Sequence, residues 1–213
     1  VRRGSAENPS PRGHRIAVVG AGIAGASVAV GLRRRGARPL VLETGHNAGS
    51  GASGNRMALQ SPKLTLDHNA TSRMSASCLS LASRISDEAG ATVGHGVVAF
   101  DMPARLAARH DVFRSQRWPA DLVRTAEAAD MPHGANALSG VVYDHGRVVM
   151  PAVLLQHFLD GVEHLNGFDA ISIVMSDGGL EIRARDGRIE TVDGVVVALG
   201  SDIGPFLGRL GHT

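Results

Sequence analysis

Short apolar runs closed by glycine set the rhythm of this chain. Ile16 to Val19 form one such run, ending at Gly20, the pattern of a buried strand. A helix follows from about Ile23 to Arg35. Arg33, Arg34 and Arg35 fall in its last turn, where cations suit the negative end of the helix dipole. Gly36 is a natural left-handed terminator. Pro39 to Glu43 read as a second strand. Strand, glycine turn, helix and strand therefore follow one another within a short stretch. Thr44 to Arg56, rich in Gly, Ser and Asn, read as a loop.

Further along, the pattern predicts a long helix from near Asn69 to Ala89, closed by Gly90, and a strand over Val97 to Phe100. Met102 to Asn136 hold one or two helices, with Pro119 suited to the first turn of one of them. Gly140 to Tyr143 and Arg147 to Met150 read as two strands around Asp144–Gly146. Pro151 opens a helix that runs to near Asn166–Gly167. Ile171 to Met175, Leu180 to Arg185 and Arg188 to Val192 form three short strands. Asp186–Gly187 is a strong hairpin signal, so these strands make a meander. Val195 to Leu199 are wholly apolar, the mark of a strand buried on both faces, and stop at Gly200.

Composition narrows the function classes. The balance of 43% hydrophobic and 20% charged residues over 213 residues is that of a globular protein. Aromatic residues are only 3%, which argues against a base-stacking platform for single-stranded nucleic acid. A net charge of +2 does not by itself indicate a nucleic-acid binder. Cys78 is alone, so no intrachain disulfide forms, consistent with a reducing cytoplasm. No run approaches the roughly 18 apolar residues of a membrane span. Residues 1–14 are polar and read as a disordered leader or linker, without the apolar core of a secretory signal. Val1 in first place points to an unusual start codon or to a piece of a longer polypeptide.

Gly20-Ala21-Gly22-Ile23-Ala24-Gly25 fits G-x-G-x-x-G after a strand and at the start of a helix, the context that gives the pattern meaning. Gly20 permits the tight turn, Gly22 lets the backbone approach a pyrophosphate, and Gly25 lets helix and strand pack closely. The phosphates then meet the free N–H groups of the helix start. Glu43 ends the next strand, where a carboxylate accepts hydrogen bonds from the adenosine ribose hydroxyls and disfavours a 2′-phosphate. This fingerprint does not separate NAD from FAD.

Gly51-Ala52-Ser53-Gly54-Asn55-Arg56 does help. It resembles the G-A-S-G segment of FAD oxidases of the D-amino-acid-oxidase and glycine-oxidase superfamily. Small residues let backbone N–H groups face phosphates, and Ser53 adds a hydroxyl. The full G-A-S-G-N-R string is most similar to the flavin domain of the bifunctional tRNA wobble-uridine modification proteins. Three later segments resemble that family in order: Leu138 to Tyr143, Met150-Pro151-Ala152 opening a helix, and Val195 to Gly200, whose Ala198 and Gly200 match the strand that returns to the cofactor.

The resemblance implies an α/β chain: a Rossmann-like FAD-binding fold with a three-stranded meander and part of a mixed-sheet substrate domain. It implies a division into residues 15–90 (first part of the FAD-binding domain), 91–150 (partial substrate domain) and 151–213 (return to the FAD-binding domain). The cofactor implied is FAD, which takes a hydride from the carbon beside an amine. The activity implied is cytoplasmic oxidation of the carboxymethylaminomethyl group of a tRNA wobble uridine, beside a fused or separate methyltransferase partner. A free amino acid or other small amine as substrate is the alternative, and a nucleotide-binding remnant without turnover is a third. The family's flavin domain continues well beyond its A-x-G strand, whereas 13 residues follow Gly200 here, so the expectation is a truncated chain. No catalytic residue is assigned.

Other features weigh less. The ten His residues lack H-E-x-x-H or a Cys partner, so no metal is expected. His157 and His164 fall two turns apart on one predicted helix. His95 is a candidate to face the substrate, Arg56 to face cofactor or substrate or to form a salt bridge, Cys78 a buried small side chain, and Asp67 a helix N-cap.

Overall fold

The computed structural model describes residues 10–65, 67–100, 118–131 and 140–210. In chain order the elements are β1 (Arg15–Val19), α1 (Ile23–Arg34), β2 (Arg38–Leu42), β3 (Ala58–Gln60), α2 (Ala70–Glu88), β4 (Thr92–Phe100), β5 (Arg124–Thr125), β6 (Gly140–Val149), α3 (Pro151–Leu159), β7 (Glu163–Leu165), β8 (Ala170–Ser176), β9 (Gly179–Ala184), β10 (Ile189–Val192), β11 (Gly194–Val197) and α4 (Ile203–Arg209). Two compact units result, Val1–Asn55 with Leu154–Thr213, and Arg56–Val153.

The first unit is built on a parallel sheet in the order β11-β1-β2-β7. Strand side chains alternate between faces, and the sequence uses both. Ala17, Val19, Leu40 and Leu42 join Phe168, Ala170, Ile182, Ala184, Val192 and Phe206 in one apolar core, so the antiparallel meander β8-β9-β10 covers that face. Phe168 and Phe206 are each 1% exposed, and burying a ring of that size contributes about 2–3 kcal/mol. On α1, the buried positions are Gly25, Ala26 and Ala29, small residues that admit close packing. Arg15 ties the start of β1 to its surroundings, with Nη1 donating to Glu190 at 2.8 Å and Nη2 to Glu163 at 3.1 Å.

Three expectations change in this unit. The helix from Pro151 stops at Leu159 rather than near Asn166. Gly161, at φ +65°, takes the left-handed conformation that ends a helix, and the chain then pairs beside β2 as β7. His157 and His164 therefore lie on different elements. Strand β11 is half-buried along its length instead of buried on both faces, because it pairs only with β1 and forms a sheet edge among the described residues.

In the second unit, the antiparallel sheet β3-β6-β4 carries β5 on β6. Helix α2 packs on this sheet: Ser83 donates to the His145 carbonyl, and Gln60 and Ser86 bond through their side chains at 2.9 Å. That packing places residues 56–90, grouped by the sequence with the nucleotide-binding part, in the second unit. The core here contains Leu64, Leu79, Val97, Trp118, Leu122, Val123, Val141 and Tyr143.

The second unit also corrects several readings. Gly140 to Val149 form one continuous strand, not two around Asp144–Gly146. The partner strand β4 has a register shift between His95 and Val97, and a Cβ on Gly146 would lie 2.6 Å from Val97 Cγ2, so the glycine marks a close approach and not a turn. Strand β3 was not expected. Helix α2 is capped by Asn69, whose side chain accepts from Ser72 N at 2.9 Å, and not by Asp67, which accepts from Asn69 N. Pro119 begins a single turn, closed by the Leu122 and Val123 amides on its carbonyl, instead of a helix. Cys78 is exposed rather than buried. Most of the helices expected over 102–136, and Leu138 and Ser139 of the matched segment, lie outside the described residues.

Candidate active site: a glycine-lined cleft

At the carboxyl end of β1 the chain turns sharply into α1, and the glycines there are each dictated by a neighbour. Gly20 has φ +107°, and a Cβ on it would lie 2.5 Å from the Ala198 carbonyl oxygen. A Cβ on Gly25 would lie 1.9 Å from the Gly20 oxygen. These are steric exclusions of any side chain, not preferences for flexibility.

The loop after β2 folds back on this turn. The Ser53 hydroxyl accepts from the Ile23 amide at 3.0 Å, supplying the cap that Gly22 at the helix N-cap lacks. The Gly49 amide donates to the Ala21 carbonyl at 3.1 Å, and a Cβ on Gly54 would lie 2.5 Å from the Gly49 oxygen. Residues 20–25 and 49–54 are thus held together. The amides of Gly22 and Ala24, and of Ala52 and Ser53, find no acceptor among the described residues. The first turn of α1 carries no acidic side chain.

Glu43, only 7% exposed, stands just past β2. One of its oxygens accepts from the Ala21 amide at 2.9 Å. The other accepts from the Gly45 amide at 2.8 Å and the Ser50 hydroxyl at 2.6 Å. Three donors hold the carboxylate in place and satisfy its charge in the interior.

These parts border one cleft of about 700 Å³. Of the residues singled out from the sequence, Gly20, Gly22, Ile23, Ala24, Glu43, Gly51, Ala52, Ser53, Ala198 and Gly200 line it. Ala21 and Gly25 sit behind that wall, one donating to Glu43 and the other packed on Gly20. Gly54 and Asn55 end the 3₁₀ turn and do not line the cleft, and Arg56 begins the second unit. His95 also belongs to the second unit, on β4. Cβ atoms on Gly51 and Gly200 would meet nothing within 4 Å, so both leave open space at the cleft wall.

The rest of the lining was not anticipated. It comes from Asp169 and Ala170 at the start of β8, Arg185 after β9, and Asp202, Pro205, Phe206 and Arg209 around α4. Arg185 Nε donates to Asp169 at 2.7 Å. Arg209 lies over the Phe206 ring, 5.6 Å from its centroid, and has no carboxylate partner among the described residues. Sequence reading missed these groups because no local motif links them; only the packing of the meander and α4 on the sheet brings them into one cleft with the glycine turn. Among the described residues no group of three or more His, Cys, Asp or Glu side chains is placed to hold a metal.

The comparison that decides the family is with the FAD dependent oxidoreductase (DAO) family, which matches residues 15–213. The chain belongs to that family. Its members depend on FAD, and the glycine turn, the Glu43 carboxylate and the open cleft of this chain fit the nucleotide half of that cofactor. Among curated relatives, the chain is 28% identical over 224 residues to the tRNA 5-methylaminomethyl-2-thiouridine biosynthesis bifunctional protein MnmC of Shewanella amazonensis, covering 92% of this chain and 33% of the relative. It therefore spans about a third of that protein's length. Among solved structures, it resembles glycine oxidase from Geobacillus kaustophilus at a TM-score of 0.71 with 23% identity, covering 93% of this chain and 59% of that one. L-amino acid deaminase from Proteus vulgaris gives a TM-score of 0.70 with 21% identity, covering 97% and 51%. These likenesses establish the mixed α/β fold.

Proposed function

We propose that this chain binds FAD in the cleft and forms the nucleotide-binding part of an FAD-dependent amine oxidoreductase. The observation that carries the reading is the juncture of the two glycine stretches. It presents amides without an acceptor among the described residues, and a helix start free of acidic side chains, beside a buried carboxylate. Gly22, Ala24, Ala52 and Ser53 supply N–H groups for the diphosphate, where the positive end of α1 adds favourable charge. Glu43 receives the ribose hydroxyls. Gly20, Ala21, Ile23 and Gly25 hold the turn in shape, Gly51 continues the phosphate loop, which Gly54 and Asn55 close from outside the cleft, and Ala198 and Gly200 border the cofactor where β11 ends. Arg209 adds positive charge, with no carboxylate partner among the described residues. Bound FAD supplies the oxidising chemistry as a two-electron acceptor, and the protein supplies binding and orientation.

The favoured substrate is the carboxymethylaminomethyl group of a tRNA wobble uridine, a reading supported by the name of the Shewanella amazonensis relative and by a match that covers 92% of this chain. That relative is bifunctional, which supports a methyltransferase activity as a fused or separate partner. A cytoplasmic setting accords with a tRNA substrate, and no helix among the described residues is long and apolar enough to cross a membrane. A free amino acid is the alternative substrate, and a nucleotide-binding role without turnover is the third reading.

The test is direct. The purified chain should show a flavin absorbance spectrum and bind added FAD with one-to-one stoichiometry. Modified tRNA and free glycine or sarcosine should then be compared for release of glyoxylate or peroxide. Absence of FAD binding would remove the proposal, while binding without turnover of either substrate would leave the third reading.

A further inference from the structure

The Ser50 hydroxyl donates to Glu43, the carboxylate to which the nucleotide-binding reading assigns a ligand's hydroxyls. Of the three donors on this carboxylate, the Ala21 and Gly45 amides are main-chain groups fixed by their turns. Ser50 supplies the one side-chain donor among the described residues, at 2.6 Å. Its residue is exposed and lines the cleft beside Glu43. A Cβ on Gly45 would lie 2.4 Å from Ser50 Cβ, so the serine side chain is packed closely on residue 45, beside the acid.

An ionised carboxylate offers about four acceptor positions. Three are filled, so one additional donor fits without displacing anything. A pair of adjacent hydroxyls requires two positions. One resident donor must then leave, and Ser50 is the one able to do so, because a serine hydroxyl turns to water by rotation about a single bond while the two amides cannot move without rebuilding their turns.

We propose that Ser50 is a resident stand-in for a ribose hydroxyl: it satisfies Glu43 while the cleft is empty and is displaced only by a ligand bearing a vicinal diol. It thereby lowers the affinity for such ligands and acts as a specificity-determining residue. This rests on the nucleotide-binding reading above. It predicts an asymmetry that a simple structural role does not. Removing the hydroxyl favours a ligand that must displace it and leaves unchanged a ligand that does not.

The experiment is calorimetric titration of the purified full chain, wild type and Ser50→Ala, with ADP and with 2′-deoxy-ADP, which retains only one of the two hydroxyls. The variant should bind ADP about three- to tenfold more tightly, the size expected for losing one competing hydrogen bond of ordinary net strength. Its affinity for 2′-deoxy-ADP should stay within about twofold of wild type. Thermal melting of the ligand-free variant reports folding separately. Unchanged or weakened ADP binding in Ser50→Ala would overturn the stand-in role while wild-type binding upheld the nucleotide reading. Equal tightening for both ligands would also overturn it. Failure of the wild type to bind ADP would overturn both.

Discussion

A Cβ on Gly25 would lie 1.9 Å from the carbonyl oxygen of Gly20, so the start of α1 and the end of β1 touch through bare backbone. Neither atom belongs to a side chain that could swing away. Gly25→Ala must therefore push the helix off the strand. The expected cost is about 3 kcal/mol, at the upper end for overpacking a tight site. Thermal or urea denaturation should show the loss, and flavin absorbance per chain should fall with it. Retention of wild-type stability would contradict the packing described.

Ser53 caps α1 from outside the helix, accepting from the Ile23 amide at 3.0 Å. Ser53→Ala leaves that amide without its acceptor. Stability of the ligand-free chain should fall by about 0.5–1 kcal/mol, the usual value of a lost N-terminal cap. Ser53→Thr, which keeps the hydroxyl, should recover most of it. Denaturant midpoints of the three proteins provide the measurement.

Glu43 accepts three hydrogen bonds through two oxygens. In Glu43→Gln an amide nitrogen replaces one of those oxygens and faces a donor, leaving at least one N–H or O–H unsatisfied in a buried site. Destabilisation of about 1–3 kcal/mol follows. FAD affinity should fall more than stability alone explains, because the charge that receives the ribose is lost too. Fluorescence titration with FAD alongside chemical denaturation separates the two effects.

In the second unit, Arg124 Nη1 and Nη2 grip the two oxygens of Asp130 at 2.7 and 2.9 Å. Hydrogen bonds from Arg124 and from the Glu127 amide hold the Asp130 carboxyl down at about 2, against an ordinary 3.8. A carboxyl depressed in the folded state stabilises it above the unfolded value and loses that contribution as the acid protonates. The contribution is therefore complete above about pH 5 and declines from about pH 4 towards pH 2. Asp130→Asn should be less stable at neutral pH and should show a flatter stability curve across that acid window. Denaturation midpoints measured from pH 2 to pH 7 check both expectations.

Much of this protein was written locally. The turn at Gly20, helix α1, the acid at Glu43 and the meander from β8 to β10 all follow from neighbours in sequence, because a tight turn, a helix end or a hairpin is settled by contacts within a few residues. Gly51 to Ser53 were legible for the same reason: small residues beside a helix start leave amides free. What the chain could not show by itself was pairing over long distances. Glu163 to Leu165 had the character of a helix end until β2 offered them a parallel neighbour, and residues 144–146 looked like a turn until a bulged partner strand made them continuous. Asp169, Arg185 and Arg209 entered the cleft only because the meander and α4 share one apolar core with β1 and β2. Ser50 likewise gained its partner from folding, because a loop serine becomes a donor to Glu43 only where tertiary packing places residue 50 against residue 45.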